Sequence, residues 1–342
     1  KKVLNSISIE YFKLSKKYKL TFFEFLTSIA FKYFSDKDVD FAVIETGLGG
    51  RFDSTNIVEH PLATVITSID YDHQDVLGEK LSQIAYEKTG IIKKGCYVIS
   101  GAETNSIKKI IFNRAKNKKA KVLQIGRDFK YQFNGYDWKR KLQKLCYFGD
   151  FLKLKTHMSL LGKHQAKNCA LALASIEAIV KQGYEINLNI IPSVLKKLNW
   201  PGRFDIRELN IDGKKTTIIL DGAHNCSGMD SLIKTIKSSP WSNKKKTVVF
   251  GILQEKKYLN IIKKLADIVK NVVLIPFESK RKLDANILKK MWGKYLGPGN
   301  VQVAQSFIKI VKNLEKNSVI IVTGSLYMLG KIAKTIDNLE KV

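Results

Sequence analysis

Four short apolar runs in the second half of the chain constrain its fold most: TTIILD (216–221), KTVVFG (246–251), NVVLIP (271–276) and SVIIVTG (318–324). Each is too short for a buried helix, and none alternates apolar with polar residues. A strand that is apolar on both sides must be covered on both sides, as in a parallel sheet between helices. Helical periodicity fills the intervals, in SGMDSLIKTIKS, YLNIIKKLADIVK, ANILKKMW and SFIKIVKNLEK. The alternation predicts an α/β unit with right-handed βαβ crossovers.

The first half shows a similar rhythm. Thr21 and Glu24 have the spacing of a capping box, opening a helix through FFEFLTSIAFKYF. FAVIET (41–46) and ATVITSI (63–69) read as buried strands, LSQIAYEK as a helix and YVIS as another strand. Residues 122–158, with FKYQF and CYFGDFLKLKTHM, read as an antiparallel insertion. KNCALALASIEAIVKQG then reads as a long helix closed by Gly183. The alternation restarts after WPGRF, which predicts two domains, 1–199 and 200–342.

Composition narrows the function classes. No apolar run is long enough for a transmembrane helix, and KKVLNSISIEYF lacks the apolar centre of a signal peptide. The four cysteines form no CxxC pair, which argues against a zinc site and for reduced thiols in a cytoplasmic protein. The net charge of +28 comes from 52 lysines and only 7 arginines, spread from end to end. Base readout and bidentate phosphate clamping favour arginine, so the charge reads as solubility and attraction of anionic substrates, with no specific nucleic-acid partner. The chain begins at Lys1 with no Met, and we expect it to be clipped.

The stretch VIETGLGGRFDSTN (43–56) allows three readings: a phosphate cradle, a metal site or a tight turn. Phe52 occupies the last glycine slot of G-x-G-x-x-G, so the dinucleotide fingerprint fails, which disfavours a nicotinamide-dependent oxidoreductase. Gly90 and Gly95 have P-loop spacing, but Cys96 and Tyr97 stand where Lys and Ser/Thr are required. Glu45 sits at the C-terminal end of a predicted strand, where open α/β sheets place ligand groups. His73, in SIDYDHQDVLG, lies just past another predicted strand, near Asp70 and Asp72. A carboxylate and an imidazole at two neighbouring strand ends could converge on Mg²⁺ or Mn²⁺ beside nucleotide oxygens. Lys88 ends the helix after them; its plainer reading is a helix-terminal lysine favoured by the dipole.

ETGLGGRFDSTN, DHQDVLG, EKTGIIK, LGKHQAKNCALAL, WPGRFD and LDGAHN, in this order, resemble folylpolyglutamate synthase, often bifunctional with dihydrofolate synthase, in the Mur ligase superfamily of ATP-dependent amide ligases. The resemblance runs from about residue 5 to residue 335. It implies a Mur-ligase-like central ATPase domain lacking its P-loop segment, followed by a Rossmann-like α/β domain. It implies Mg²⁺ on Glu45 and His73, pterin contacts at Phe52, Asp53 and Ser54, and a catalytic Lys88 carried as a carbamate. It implies nucleotide contacts at Asn168, Arg203, Asp221 and His224.

The implied partners are ATP, L-glutamate and a pterin or folate acceptor, on a monomer with no membrane association. The family's P-loop lies upstream of the segment matching the first residues here, so the chain as given is expected to be a fragment with impaired activity. GILQEKK (251–257) departs from the family's acidic-Lys-acidic run at Lys257. Two rival expectations are a non-catalytic binding fragment of the same fold and another Mur-type ligase.

Overall fold

A computed structural model describes residues 2–211, 214–312 and 318–339. By packing, the chain divides into two units. One comprises Lys1–Lys130 with Leu171–Glu185, the other Tyr131–Ala170 with Ile186–Val342. Of the expected antiparallel insertion 122–158, residues 131–158 thus fall in the second unit, whereas 122–124 belong to a parallel strand of the first.

The first unit holds a parallel sheet of β1 (Ala63–Ile66), β2 (Tyr97–Ser100) and β3 (Lys121–Gln124), in that order. Ala63 pairs with Tyr97, and Tyr97 with Lys121. Ile66, Val98, Ala85, Ile92, Ile107 and Ile111 form its core. The last four come from the helices Leu81–Lys88 and Asn105–Asn117 and the turn between helix and β2. The helix Phe22–Asp36 begins on the expected capping box: the Thr21 hydroxyl accepts from the Glu24 N–H, and the Glu24 carboxylate accepts from the Thr21 N–H at 2.7 Å.

Residues 41–46 correct the sequence reading. FAVIET is not a strand, and Val43 is 96% exposed. Apolar composition alone does not make a strand. The ladder needs a neighbour, and β1 pairs only with β2 among the described residues.

The second unit contains two sheets. β4 (Lys130–Asp137), β5 (Leu142–Phe148) and β6 (Lys153–Met158) form a three-stranded sheet, with β5 and β6 antiparallel as expected for the insertion. The larger sheet is built from β7 (Asp205–Ile211), β8 (Lys214–Leu220), β9 (Lys246–Phe250), β10 (Asn271–Leu274), β11 (Val301–Val303) and β12 (Val319–Thr323). Its order is β11-β10-β9-β12-β8-β7; β7 pairs antiparallel with β8 and every other pair is parallel. The four apolar runs are its central strands.

Alternate residues of those strands feed two cores. Ile219, Val248, Phe250 and Ile321 face the helices Cys226–Lys237, Tyr258–Ala266 and Ala285–Leu296. Ile218, Leu220, Val249 and Val322 face the helices Phe307–Lys312 and Leu326–Leu339. The helix expected over 306–316 is described only as far as Lys312; its remainder lies outside the described residues. The sequence reading did not anticipate β7, β11 or the helix Leu326–Leu339.

At the C-terminal edge of this sheet, β8, β9 and β12 run into Asp221, Gly251 and Gly324. Gly324 has φ +101°, and a Cβ there would lie 2.5 Å from the Gly251 carbonyl oxygen. Only glycine fits where these strand ends crowd together.

Candidate active-site residues

In the first unit the glycine-rich loop 47–57 is clipped down by its own side chains. The Asp53 carboxylate accepts from the Leu48 N–H at 2.8 Å, the Thr55 N–H at 2.9 Å and the Thr55 hydroxyl at 2.6 Å. It thereby caps the short 3₁₀ turn Ser54–Ile57. The Ser54 and Thr27 hydroxyls lie 3.0 Å apart. Phe52 is 82% exposed, with the Arg51 guanidinium over its ring. The Asn56 carboxamide donates to the carbonyls of Arg51 and Gly90. The loop is thus a built turn: the Asp53 carboxylate is bonded to the loop's own N–H groups and to the Thr55 hydroxyl, and the Asn56 carboxamide ties the loop to the Gly90 carbonyl.

His73 adopts a left-handed conformation, φ +50°, at the start of the short helix Gln74–Leu77. Its backbone N–H donates to Asp72 Oδ1, and its Nε2 lies 3.9 Å from the same oxygen. Glu45 is exposed in the unpaired segment. One premise for their convergence, that both follow strands of one sheet, therefore holds for His73 alone. Among the described residues no group of three or more His, Cys, Asp and Glu gathers as a metal cage. Lys88 closes the helix Leu81–Lys88, as the sequence predicted, and is half-buried.

In the second unit a buried carboxylate organises two of the motifs. Asp221, 8% exposed, accepts from the Phe204 N–H at 3.0 Å and the Ala223 N–H at 2.9 Å. The Gly222 N–H donates to the Gly202 carbonyl at 2.8 Å. WPGRF and DGAHN are thus knitted together, with Phe204 at φ +47° and Gly202 at φ +78°. Burial pushes the Asp221 carboxyl up to about 6, against the opposing pull of the two N–H donors and the Arg203 charge.

Arg203 is exposed beside this knot. His224 Nδ1 lies 2.8 Å from the Gly222 carbonyl oxygen, an arrangement that favours the Nδ1–H tautomer and leaves Nε2 as the acceptor nitrogen. Asn168 is exposed in the second turn of the helix Lys163–Val180, and its amide donates to Gln165 Oε1 at 3.2 Å. The structure thus joins Arg203, Asp221 and His224 at one strand end of the second unit, and Phe52, Asp53 and Ser54 in one loop of the first.

Residues 3–176 match the Mur ligase middle domain, and residues 202–326 match the Mur ligase glutamate ligase domain. The dihydrofolate synthase/folylpolyglutamate synthase of Bacillus subtilis is 36% identical over 330 residues, covering 92% of this chain and 72% of the relative. The chain belongs to the folylpolyglutamate/dihydrofolate synthase family of Mur ligases.

Solved members of the Mur ligases share its fold. A folylpolyglutamate synthase from Thermotoga maritima superimposes with a TM-score of 0.79 at 31% identity, covering 98% of this chain and 73% of that one. E. coli FolC in complex with DHPP and ADP gives 0.80 at 27% identity, covering 93% and 72%.

Sequence reasoning passed over two residues at these Mur ligase motifs. Glu87 grips Arg51, although it stood in the quoted EKTGIIK. His164, in LGKHQ, sits within reach of the Arg203 charge; burial foremost, then Arg203, lower its pKa. Its Nδ1 is buried without a hydrogen-bond partner, and its ring fills the space a Cβ on Gly162 would need. The close GKH spacing was the available signal for it.

Proposed function

We propose that this chain forms an amide between L-glutamate and the carboxylate of dihydropteroate, of a folate, or of both, at the expense of ATP. The family is one of ATP-dependent acid–amino-acid ligases. The observation that carries the reading is the likeness of both halves to E. coli FolC, solved with DHPP and ADP. A Mycobacterium tuberculosis relative solved with ADP and AMPPCP supports the nucleotide half, at 27% identity and a TM-score of 0.80. We take residues 1–199 and 200–342 as the functional division.

In this mechanism a carboxylate oxygen of the acceptor attacks the γ-phosphorus of ATP, and ADP leaves. The acyl phosphate then meets the glutamate amine at its carbonyl carbon. The amine loses a proton, and phosphate departs from the tetrahedral intermediate. Catalysis of such a sequence is mainly positioning and neutralisation of phosphate charge. Arg203, exposed and borne on a loop anchored by Asp221, supplies a guanidinium fork for phosphate. His224 and Asn168 contact the nucleotide. Asp221 spends both oxygens on backbone N–H groups, so it acts on the nucleotide region by fixing the loops that carry Arg203 and His224. Phe52, Asp53 and Ser54 form the acceptor wall, with Lys88 near the reacting phosphate.

Glu45 and His73 offer one carboxylate and one imidazole, and both side chains are accessible. Mg²⁺ is commonly held by one or two carboxylates and completes its shell with phosphate oxygens and water, so Glu45 is the fitting donor and the His73 imidazole would be the accessory one. When bound, the ion would neutralise charge on the phosphates.

The test is transfer of radiolabelled glutamate. We expect ATP-dependent incorporation into dihydropteroate or a folate, slow in the chain as given, with one phosphate released per glutamate and a further fall in Arg203→Ala. ATP consumption with no label reaching any pterin acceptor would overturn the proposal.

A further inference from the structure

The antiparallel sheet β4–β6 has one face that no role above employs. Its other face is covered: Gln143, Leu145 and Tyr147 of β5 and Thr156 and Met158 of β6 are buried. The register fixes what lies on the open side. Lys144 stands opposite His157, Cys146 opposite Lys155, and Phe148 opposite Lys153. The Asn134 carboxamide donates to Cys146 Sγ at 3.2 Å, so Asn134 shares that face, and Lys130 shares it by strand alternation along β4. Lys130, Lys144, Lys153 and Lys155 are all exposed. No acidic residue occurs at the positions of this face in the three strands.

Lysine is abundant in this chain, but other lysines of the unit have acidic neighbours. Lys141 and Lys215 both reach Glu208, and Lys264 meets Asp230. On the sheet face, Lys153 and Lys155 stand about 7 Å apart along one strand. Lys144 is the diagonal neighbour of Lys155, at about 7–8 Å. These spacings fall within the Debye length of about 8 Å at physiological ionic strength. The like charges repel, and no carboxylate in the strands offsets them. A multivalent anion laid across the strands removes that repulsion.

The chemistry of the face favours a carboxylate chain over a nucleic acid. It offers lysines and no arginine, hence point charges without a fork for phosphate. Phe148, 45% exposed, is a single ring where base stacking uses a series of them. An extended γ-linked glutamate chain repeats its carboxylates roughly every 6 Å by ordinary bond lengths, close to the step between alternate residues of a strand.

We infer that the open face of β4–β6 binds an acidic chain, the γ-linked glutamate tail of the acceptor or product, through Lys144, Lys153 and Lys155. The inference rests on the ligase reading for the identity of the chain and adds a surface to it. The position of the sheet agrees. Trp138, just past β4, has its ring 6.3 Å from that of Phe204, the residue after Arg203, and its Nε1 donates to the Ser238 carbonyl at 3.1 Å. One end of the sheet is therefore fastened beside the loop that bears Arg203.

The experiment is an anisotropy titration of fluorescein-labelled tetra-γ-glutamate, without ATP, at low and at physiological ionic strength. Wild type is compared with Lys144→Glu/Lys155→Glu and with Lys289→Glu/Lys290→Glu. The second pair is exposed on the helix Ala285–Leu296 and changes the net charge equally. The expected result is binding by the wild type that weakens with salt, a loss of at least tenfold in the first variant, and affinity within twofold of wild type in the second. Lys144→Gln/Lys155→Gln, which removes charge without reversing it, should lose at least threefold and serves if the reversal fails to fold. No binding by the wild type at low salt, or equal weakening in the two reversed variants, would overturn the inference. Tighter binding of a single-stranded oligonucleotide of equal charge to the same lysines would overturn the choice of partner. The ligase reading fails separately: tail binding without glutamate transfer to any pterin sinks that reading and keeps the face, whereas transfer without tail binding does the reverse.

Discussion

The loops 47–57 and 221–225 both leave an extended apolar run through glycine, yet they are anchored by different physics. The second follows β8, a central strand paired on both sides, and turns on Asp221, buried and bonded to two backbone N–H groups. The first follows residues 41–46, which pair with no strand among the described residues, and is held by Asp53, Asn56 and the Arg51–Glu87 clip at the surface. One loop inherits its position from a sheet. The other builds its own from side chains. A loop of the first kind should fail together with its unit when its anchor is removed. A loop of the second kind should fail locally, with altered binding and little change in global stability.

The largest effect that could break this contrast lies at Asp221. Asp221→Ala leaves two buried N–H groups unpaired and is expected to cost roughly 3 kcal/mol or more by urea denaturation. The pH dependence carries a definite sign. The folded carboxyl titrates near 6, above its ordinary value of 3.8. The folded state therefore binds the proton more tightly, and the contribution is full below pH 3.8 and lost as pH rises through 6. Wild type should lose stability relative to Asp221→Asn between about pH 4 and 6; a constant difference across that window would contradict the assignment.

Next in size is Gly90→Ala. The added methyl collides with Arg51, and overpacking of this kind costs about 1–3 kcal/mol. The contrast predicts that much of the damage appears as faster proteolysis within 47–57. An equal loss of protection in 221–225 would show that the two loops are not held independently.

Thr21→Ala, which removes the capping box of the helix Phe22–Asp36, should cost about 1 kcal/mol, read as a shift in urea midpoint. The smallest stability effect belongs to Phe52→Ala, within about 0.5 kcal/mol because the ring is exposed. Its effect on acceptor binding should be far larger than its effect on stability.

Much of the second unit was legible because TTIILD, KTVVFG, NVVLIP and SVIIVTG are apolar on both faces, and few folds bury a short strand on both sides. The edge strand β11 (Val301–Val303), with two exposed residues, carries no such signal. β7 was hidden by its charged residues, which suit a strand paired on one side only. FAVIET failed for the opposite reason: its local pattern is that of a strand, but pairing is a property of neighbours and cannot be read from the segment. At the candidate site, Glu45, His73 and Lys88 could be picked out by residue type and position, and Asp221 and His224 through the family resemblance alone. Glu87 could not, because its meaning depends on Arg51, 36 residues away in sequence. The positions of Asp53 and Asp221 were also legible, whereas the spending of their oxygens on backbone N–H groups becomes visible only when the loops are folded.

The most direct test of the account is hydrogen exchange in the presence of each ligand alone. Dihydropteroate should protect 47–57, whereas a non-hydrolysable ATP analogue should protect 200–204 and 221–225. Protection of the same segments by both ligands, or of neither set, would contradict the division of labour between the two loops.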